Sequence, residues 1–315
     1  MPQLASISLD LDNQWSYMRA QGIPGWDQFP SYLPQLVPKI LQVLEQLDLR
    51  LTVFVVGRDA EVAENIPCLR AFVAAGHSLG NHSYLHQPWM HEASVEAIRA
   101  ELEQAEQAIQ QATGQILTGF RGPGFAVSRE LLALLQDRGY RYDASVFPTY
   151  LGSIVRRASL RGVPLAHRPR RKPQFGTFAD GFRPLRPYRW QVNRQTLLEI
   201  PVTTLPILRI PIHFTYLHFL AQRSRSLATV YFHLALGLCQ LFRMEPSFLL
   251  HPLDFVGGDQ VPELRSFPGM GMRSDRKCAL TVQYLKTLQR RYRLMALSDY
   301  VEVVAQRDRW RTVVL

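Results

Sequence analysis

What most constrains this chain is a rhythm: short apolar runs that break off at polar residues, separated by stretches in which apolar residues recur every three to four positions. Leu4 to Leu9, Leu51 to Val56, Ser78 to Asn81, Leu117 to Phe120 and Phe248 to Leu250 read as strands. Residues 33–47 carry Leu36, Ile40, Leu44 and Leu47 at helical spacing. Residues 61–75, 94–112, 129–138 and 276–290 follow the same period, with Ser94 as an N-cap and Gly139 as a stop. A last strand is predicted over 294–297. Strands alternating with helices specify an α/β protein, and 315 residues suffice for one barrel domain spanning 1–315.

The strand ends hold the residues with chemistry. In α/β sheets and barrels the active site lies at the C-terminal ends of the strands, where the connecting loops converge. Asp10 and Asp12 close the first strand, and residues two apart on a strand point to the same side. His82-Ser83-Tyr84-Leu85-His86 follows the third, and two imidazoles four apart share a helix face or converge on a tight loop. With a carboxylate they make three N/O ligands, and three ligands plus an open position describe a catalytic divalent site. Among nine histidines that spacing arises by chance, so its weight comes from agreement with distant segments. Zn2+ is the default for two histidines and an aspartate, with Co2+, Ni2+ or Mn2+ open on the same ligands.

Downstream, Leu117 to Phe120 ends in Arg121-Gly122-Pro123-Gly124-Phe125, followed by Tyr142-Asp143-Ala144-Ser145 and by Phe248-Leu249-Leu250-His251. Together with Asp10-Leu11-Asp12 and the histidine pair, these segments resemble, in order, the five motifs of the NodB-like polysaccharide deacetylases, carbohydrate esterase family 4. The resemblance covers residues 4–150 and about 248–300. It implies a distorted (β/α) barrel with fewer than eight strands, and a hydrolase that removes an acetyl or formyl group from the nitrogen of an amino sugar. It also implies Asp12, His82 and His86 as metal ligands, Asp10 as general base, Arg121 as the residue that orients Asp10, His251 as general acid, and Asp143 as the carboxylate that tunes His251. Amide hydrolysis needs an activated water, a stabilised oxyanion and a protonated leaving amine, and these residue types supply them. A backbone N–H near the histidine loop is expected to help bear the oxyanion charge. Two departures stand out: the aspartates are separated by Leu11 rather than adjacent, and His251-Pro252-Leu253-Asp254 has no aspartate next to the histidine.

Charge is concentrated in one place. Residues 151–190 hold ten Lys or Arg and one acid, Asp180, against a net charge of +10 for the whole chain. Five prolines in that stretch favour a loop, so 151–245 reads as an insertion made of a basic loop (151–190) and an apolar helical segment (204–245). No nucleic-acid recognition fold accompanies the basic loop, so nucleic acid is not an expected partner. Apolar runs flanked by Arg209, Arg223, Arg225 and Arg243 are too short to span a bilayer and read as core-buried or as lying on an anionic membrane surface. A lipid-linked sugar would then be the substrate, as for relatives that deacylate undecaprenyl-phosphate sugars, with an intracellular glycan precursor as the other form.

Cys68, Cys239 and Cys278 are widely spaced and make no metal-type pair, which fits a reducing compartment. No basic stretch precedes an apolar export segment, so a cytoplasmic protein, peripheral at the inner membrane face, is expected. Trp15, Trp89 and Pro123 flank the site and are the expected sugar contacts. Two other readings remain open: hydrolysis of a small non-sugar amide on the same scaffold, and a non-catalytic carbohydrate- or membrane-binding relative.

Overall fold

The computed structural model describes residues 2–125, 127–151 and 181–315. Residues 152–180, which carry most of the predicted basic loop, lie outside the described residues.

Strand β1 (Gln3–Leu11) is the hub of the sheet. It pairs in parallel with β2 (Thr52–Val55) through Ser8–Leu11 and with β8 (Ser247–Leu250) through Ser6–Leu9. From β2 the parallel order continues through β3 (Ser78–Asn81), β4 (Gly119–Phe120), β5 (Tyr142–Asp143) and β7 (Gln195–Glu199). The chain leaving β7 then closes a ring. Ile200 and Val202 N–H donate to Asp143 and Val146 carbonyls at 2.9 and 2.8 Å, and Thr203 N–H donates to Ser247 O at 3.0 Å at the start of β8. The ring therefore has seven strands and is an α/β barrel, as expected. It is distorted because β4 and β5 are only two residues long.

Three strands lie outside the ring. β6 (Tyr188–Val192) forms an antiparallel hairpin with β7, β10 (Thr312–Val314) adds to β6, and β9 (Tyr292–Ala296) pairs with the first half of β1. Residues 188–199, which fall inside the predicted 151–245 insertion, belong to the sheet. Buried Tyr188, Trp190 and Val192 alternate along β6, a period of two overshadowed in the sequence by neighbouring prolines and arginines.

Helix formation follows capping and periodicity. In α4 (Val95–Thr113), Ser94 Oγ accepts the Ala97 N–H and Gly114 ends the helix in the left-handed region at φ 74°. Ile98, Leu102, Ala105 and Ile109 turn one buried stripe toward the sheet. In α5 (Arg129–Asp137) Ser128 caps the Leu131 N–H. Helix α2 (Leu33–Gln46) matches its expected span, while α3 (Ile66–Ala74) starts later than predicted, since Pro67 suits only a first turn. A short helix, α1 (Gln14–Gln21), is nucleated by Asn13, whose side chain accepts the Gln14 N–H. Later helices are α6 (Phe214–Ala221), α7 (Arg225–Leu241), α8 (Ser274–Arg291) and α9 (Leu297–Ala305).

Candidate active site

Along β1 the side chains of Ser8, Asp10 and Asp12 fall on one side, and all three are buried. The period-two rule thus brings a base candidate and a ligand candidate to one strand end despite the intervening Leu11. The histidine segment is a loop, with Ser83 at φ 62° and His86 at φ 49°. Left-handed backbone at non-glycine residues persists only where surroundings enforce it, and here they do. Ser83 N–H donates to Asn81 Oδ1 at 2.8 Å and His86 N–H to Ser83 Oγ at 3.0 Å. Glu101, on α4, accepts the N–H groups of Tyr84 and Leu85, each at 2.9 Å on Oε2. Arg19, on α1, donates to the Leu85 and His86 carbonyls at 2.7 and 2.5 Å. Burial lowers Arg19 only to about 10, so it remains a cation at neutral pH.

The loop delivers two imidazole nitrogens to one carboxylate oxygen. Asp12 Oδ1 lies 3.3 Å from His82 Nε2 and 3.0 Å from His86 Nε2, and one ligand atom from each residue sits within 4.8 Å of the others. His82 Nδ1 is 2.6 Å from the Arg121 carbonyl, which can only accept, so Nδ1 carries a proton and Nε2 is the nitrogen available to a metal. A lone pair facing a carboxylate oxygen at this distance is repulsive unless a proton or a metal ion lies between them. Edges of about 3.0–3.4 Å are what ligand bonds of about 2.1 Å produce around one ion. Asp12, His82 and His86 therefore fit a divalent metal.

Arg121 reaches the same strand end from β4. Fully buried, it donates through Nη1 to Asp10 Oδ1 at 2.6 Å and to Ser8 Oγ at 2.7 Å, and through Nε to the Ala144 carbonyl at 2.9 Å. Its guanidinium carbon lies 4.5 Å from the Phe54 ring centroid. This arrangement fixes the position of the Asp10 carboxylate.

His251 stands one residue beyond the Leu9–Leu250 pair, so it and Asp10 end neighbouring strands. Its Nδ1 is 3.1 Å from Thr215 Oγ1, which lies 3.0 Å from Asp254 Oδ1. The Thr215 hydroxyl has one hydrogen, given to the carboxylate, so it accepts the His251 Nδ1–H. That relay sets the tautomer and leaves Nε2 free to handle a proton. Asp254 also accepts the His251 N–H at 2.8 Å.

Asp143 is placed elsewhere. Its carboxylate meets Ser145, Glu199 and the Ala144 N–H and feels the Arg121 charge, and Ser145 Oγ also accepts the Gly122 N–H at 2.7 Å. Burial pushes Asp143 up to about 6, and burial together with the Asp143 charge holds Glu199 well above the carboxylate range, so Glu199 keeps its proton and shares it with Asp143. Glu199 is anchored by the Trp190 indole N–H at 2.9 Å and the Val146 N–H at 3.0 Å. The pair braces the loop that aims Arg121, while Thr215 and Asp254 orient His251.

Other expected contacts sort by burial. Trp15 is fully buried, its indole N–H 2.9 Å from Asp59 Oδ1, so it cannot stack on a sugar. Trp89 is half-buried, with Arg19 6.0 Å from its ring. Pro123 is buried at the head of a turn whose Gly124 and Phe125 are both left-handed. From Phe125 a chain of ring contacts runs through Phe147 and His213 to His251, with centroids 4.8, 5.7 and 6.3 Å apart. His213 joins this wall as a neutral ring, since burial and the nearby His251 push it down to about 3. The Tyr84, Leu85 and His86 amides are all engaged, so the expected oxyanion donor near the histidine loop is not one of these. Glu101, Arg19, Thr215, Glu199 and His213 carry no motif that the sequence reading could have used.

Residues 25–142 match the polysaccharide deacetylase family model. An uncharacterized 30.6 kDa protein from the fumA 3' region of Geobacillus stearothermophilus is 36% identical over 104 residues, which is 33% of this chain and 38% of that relative. Among solved structures, a protein of Mycobacterium smegmatis assigned to the polysaccharide deacetylases superposes with a TM-score of 0.59 at 17% identity, covering 99% of this chain and 94% of its own. A carbohydrate esterase family 4 pseudoenzyme from Bacillus anthracis gives 0.46 at 16% identity, over 96% and 66% of the two chains. The M. smegmatis likeness shows the fold, and the family match falls on the segment that carries the histidine loop and Arg121. Over residues 25–142 the chain is similar to the polysaccharide deacetylases, and over its whole length it has the fold of the M. smegmatis protein.

Proposed function

We propose that this protein is a metal-dependent hydrolase that removes an acetyl or formyl group from the nitrogen of an amino sugar, carried on a lipid or in a glycan precursor. One observation carries the reading: Asp12, His82 and His86 converge on a single point, with Asp10 held beside it by a buried arginine. A binding module has no use for a metal set, a fixed base and a free imidazole nitrogen together.

A divalent ion on Asp12, His82 and His86, most simply Zn2+, would acidify water and polarise the amide carbonyl. Asp10, aimed by Arg121, takes the water's proton. His251, steadied by Thr215, gives a proton from Nε2 to the leaving nitrogen. The wall formed by Phe125, Phe147 and His213, with Trp89 near the histidine loop, supplies apolar faces for a sugar ring. Three free thiols, Cys68, Cys239 and Cys278, suit a reducing compartment and hence a substrate met on the cytoplasmic side.

The test is release of acetate or formate from a panel of N-acyl sugars, free and lipid-linked, by the Zn2+-, Co2+- or Mn2+-loaded protein. Activity should disappear with Asp10→Asn; a variant as active as wild type overturns the mechanism. Mass spectrometry of lipid and glycan pools from cells with and without the protein should show the acetyl or formyl mass difference on the natural substrate.

A further inference from the structure

Helix α7 turns a second apolar face outward. Its inner face packs Ala228, Phe232, Ala235, Leu236 and Cys239 into the core. On the opposite side Leu227, Val230, Leu234 and Leu241 are 56%, 64%, 57% and 74% exposed, with half-buried Leu238 between the last two. At about 100° per residue these five fall within about 80° of the helix circumference, and the stripe runs about 21 Å. Gly237 lies at its edge, with open space where a side chain would stand.

Different features border the two sides of the stripe. Beyond one edge, the cleft between α7 and α8 has a volume of about 420 Å3 and is lined by His233, Gln283, Lys286, Thr287, Arg290 and Arg291, with no carboxylate among its lining residues. Arg291 donates to His233 Nδ1 at 2.9 Å. Beyond the other edge, Tyr231 donates to the Pro211 carbonyl at 2.8 Å, fixing a small hairpin closed by Leu205 N–H on Ile210 O. Its tip exposes Ile207 and Leu208, and Ile207 is held at φ 67°, a conformation that a β-branched residue rarely adopts. From residue 181 to 244 the chain has eight arginines, no lysine and one acid, Glu199, which is buried.

We infer that the outward stripe of α7 and the basic cleft beside it dock this protein on an anionic phospholipid bilayer, with acyl chains meeting the stripe and headgroup phosphates entering the cleft. Charge complementarity selects this occupant. A long apolar stripe without an acid, flanked by cations, matches a surface that is apolar below and negative above. The helix rests on the bilayer rather than crossing it, since no described helix is long and apolar enough to span one. The hairpin that borders the stripe continues into His213 and Thr215, which contact His251, so docking would bring the candidate site to the lipid surface.

Vesicle flotation of the full chain tests this. Binding is expected on phosphatidylglycerol vesicles at low salt, weakened by salt and absent on phosphatidylcholine. The exposed pair Val230→Glu and Leu234→Glu should lower partitioning about tenfold or more, and Lys286→Glu with Arg290→Glu should do the same while flattening the salt dependence. Both pairs should melt like wild type. Wild-type binding by both, or failure of wild type to bind anionic vesicles while sedimentation shows a dimer that the Val230→Glu, Leu234→Glu pair dissociates, overturns the inference. The surface stands apart from the chemistry: Asp10→Asn should bind vesicles like wild type, so loss of docking and loss of hydrolysis are read separately.

Discussion

Glu101 decides whether the metal loop is built in advance or merely tolerated. Its Oε2 accepts the Tyr84 and Leu85 N–H groups at 2.9 Å each, between the two left-handed residues of the histidine segment. Glu101→Ala leaves both donors without that acceptor. An orphaned buried donor costs about 1–3 kcal/mol; these are only part-buried and regain some water, so about 2–3 kcal/mol for the pair is the expected loss. That loss falls on the segment that aims His82 and His86. Removing outer partners of metal ligands lowers affinity about 10- to 100-fold, and the same range is expected here. Glu101→Gln keeps an oxygen acceptor and loses only the charge, about 1 kcal/mol and less than tenfold. Calorimetric Zn2+ titration of the three proteins, with circular dichroism to establish folding, should rank wild type above Glu101→Gln above Glu101→Ala. A folded Glu101→Ala protein with wild-type Zn2+ affinity refutes the argument.

Other expectations concern single contacts. Burial pushes Asp59 up to about 7 against the hydrogen bonds of Asn13 and Trp15, so the folded carboxyl holds its proton more tightly than an unfolded one near about 3.9. Stability should then fall as pH rises from about 4 to about 7 and level off above; Asp59→Asn, which keeps the Oδ1 acceptor, should flatten that slope in urea denaturation at several pH values, and a persistent slope assigns it to other groups. Thr215→Val removes the hydroxyl that steadies His251 at nearly constant shape, so turnover in the proposed deacylation should drop about tenfold with KM unchanged, and a change confined to KM would count against the relay. Trp15→Phe should cost about 1–2 kcal/mol of stability by orphaning the Asp59 bond and leave KM alone, whereas Trp89→Ala should raise KM; the reverse pattern in melting and steady-state assays would return Trp15 to the substrate.

The sequence by itself determined the barrel rhythm, the presence of Asp10 and Asp12 on one side of a strand end, and the pairing of His82 with His86. These are local properties: side-chain direction along a strand repeats every two residues, and a helix buries every third or fourth, so a single segment declares its own face. Only the tertiary structure decided who holds those residues. Asp143, aligned by motif with a carboxylate that tunes the histidine, meets Glu199 because β7 packs beside β5. Thr215 takes the orienting place because α6 lies against the segment after β8. Trp15, aromatic and near the site in sequence, is buried because Asp59 captures its indole N–H from across the chain. The α7 helix was legible as apolar, yet which of its two apolar faces met the core depended on the neighbours that covered Phe232 and left Leu234 bare. Periodicity fixes the direction of a side chain relative to its own element, whereas its partner is fixed by how distant elements pack, and that information is distributed over the whole chain.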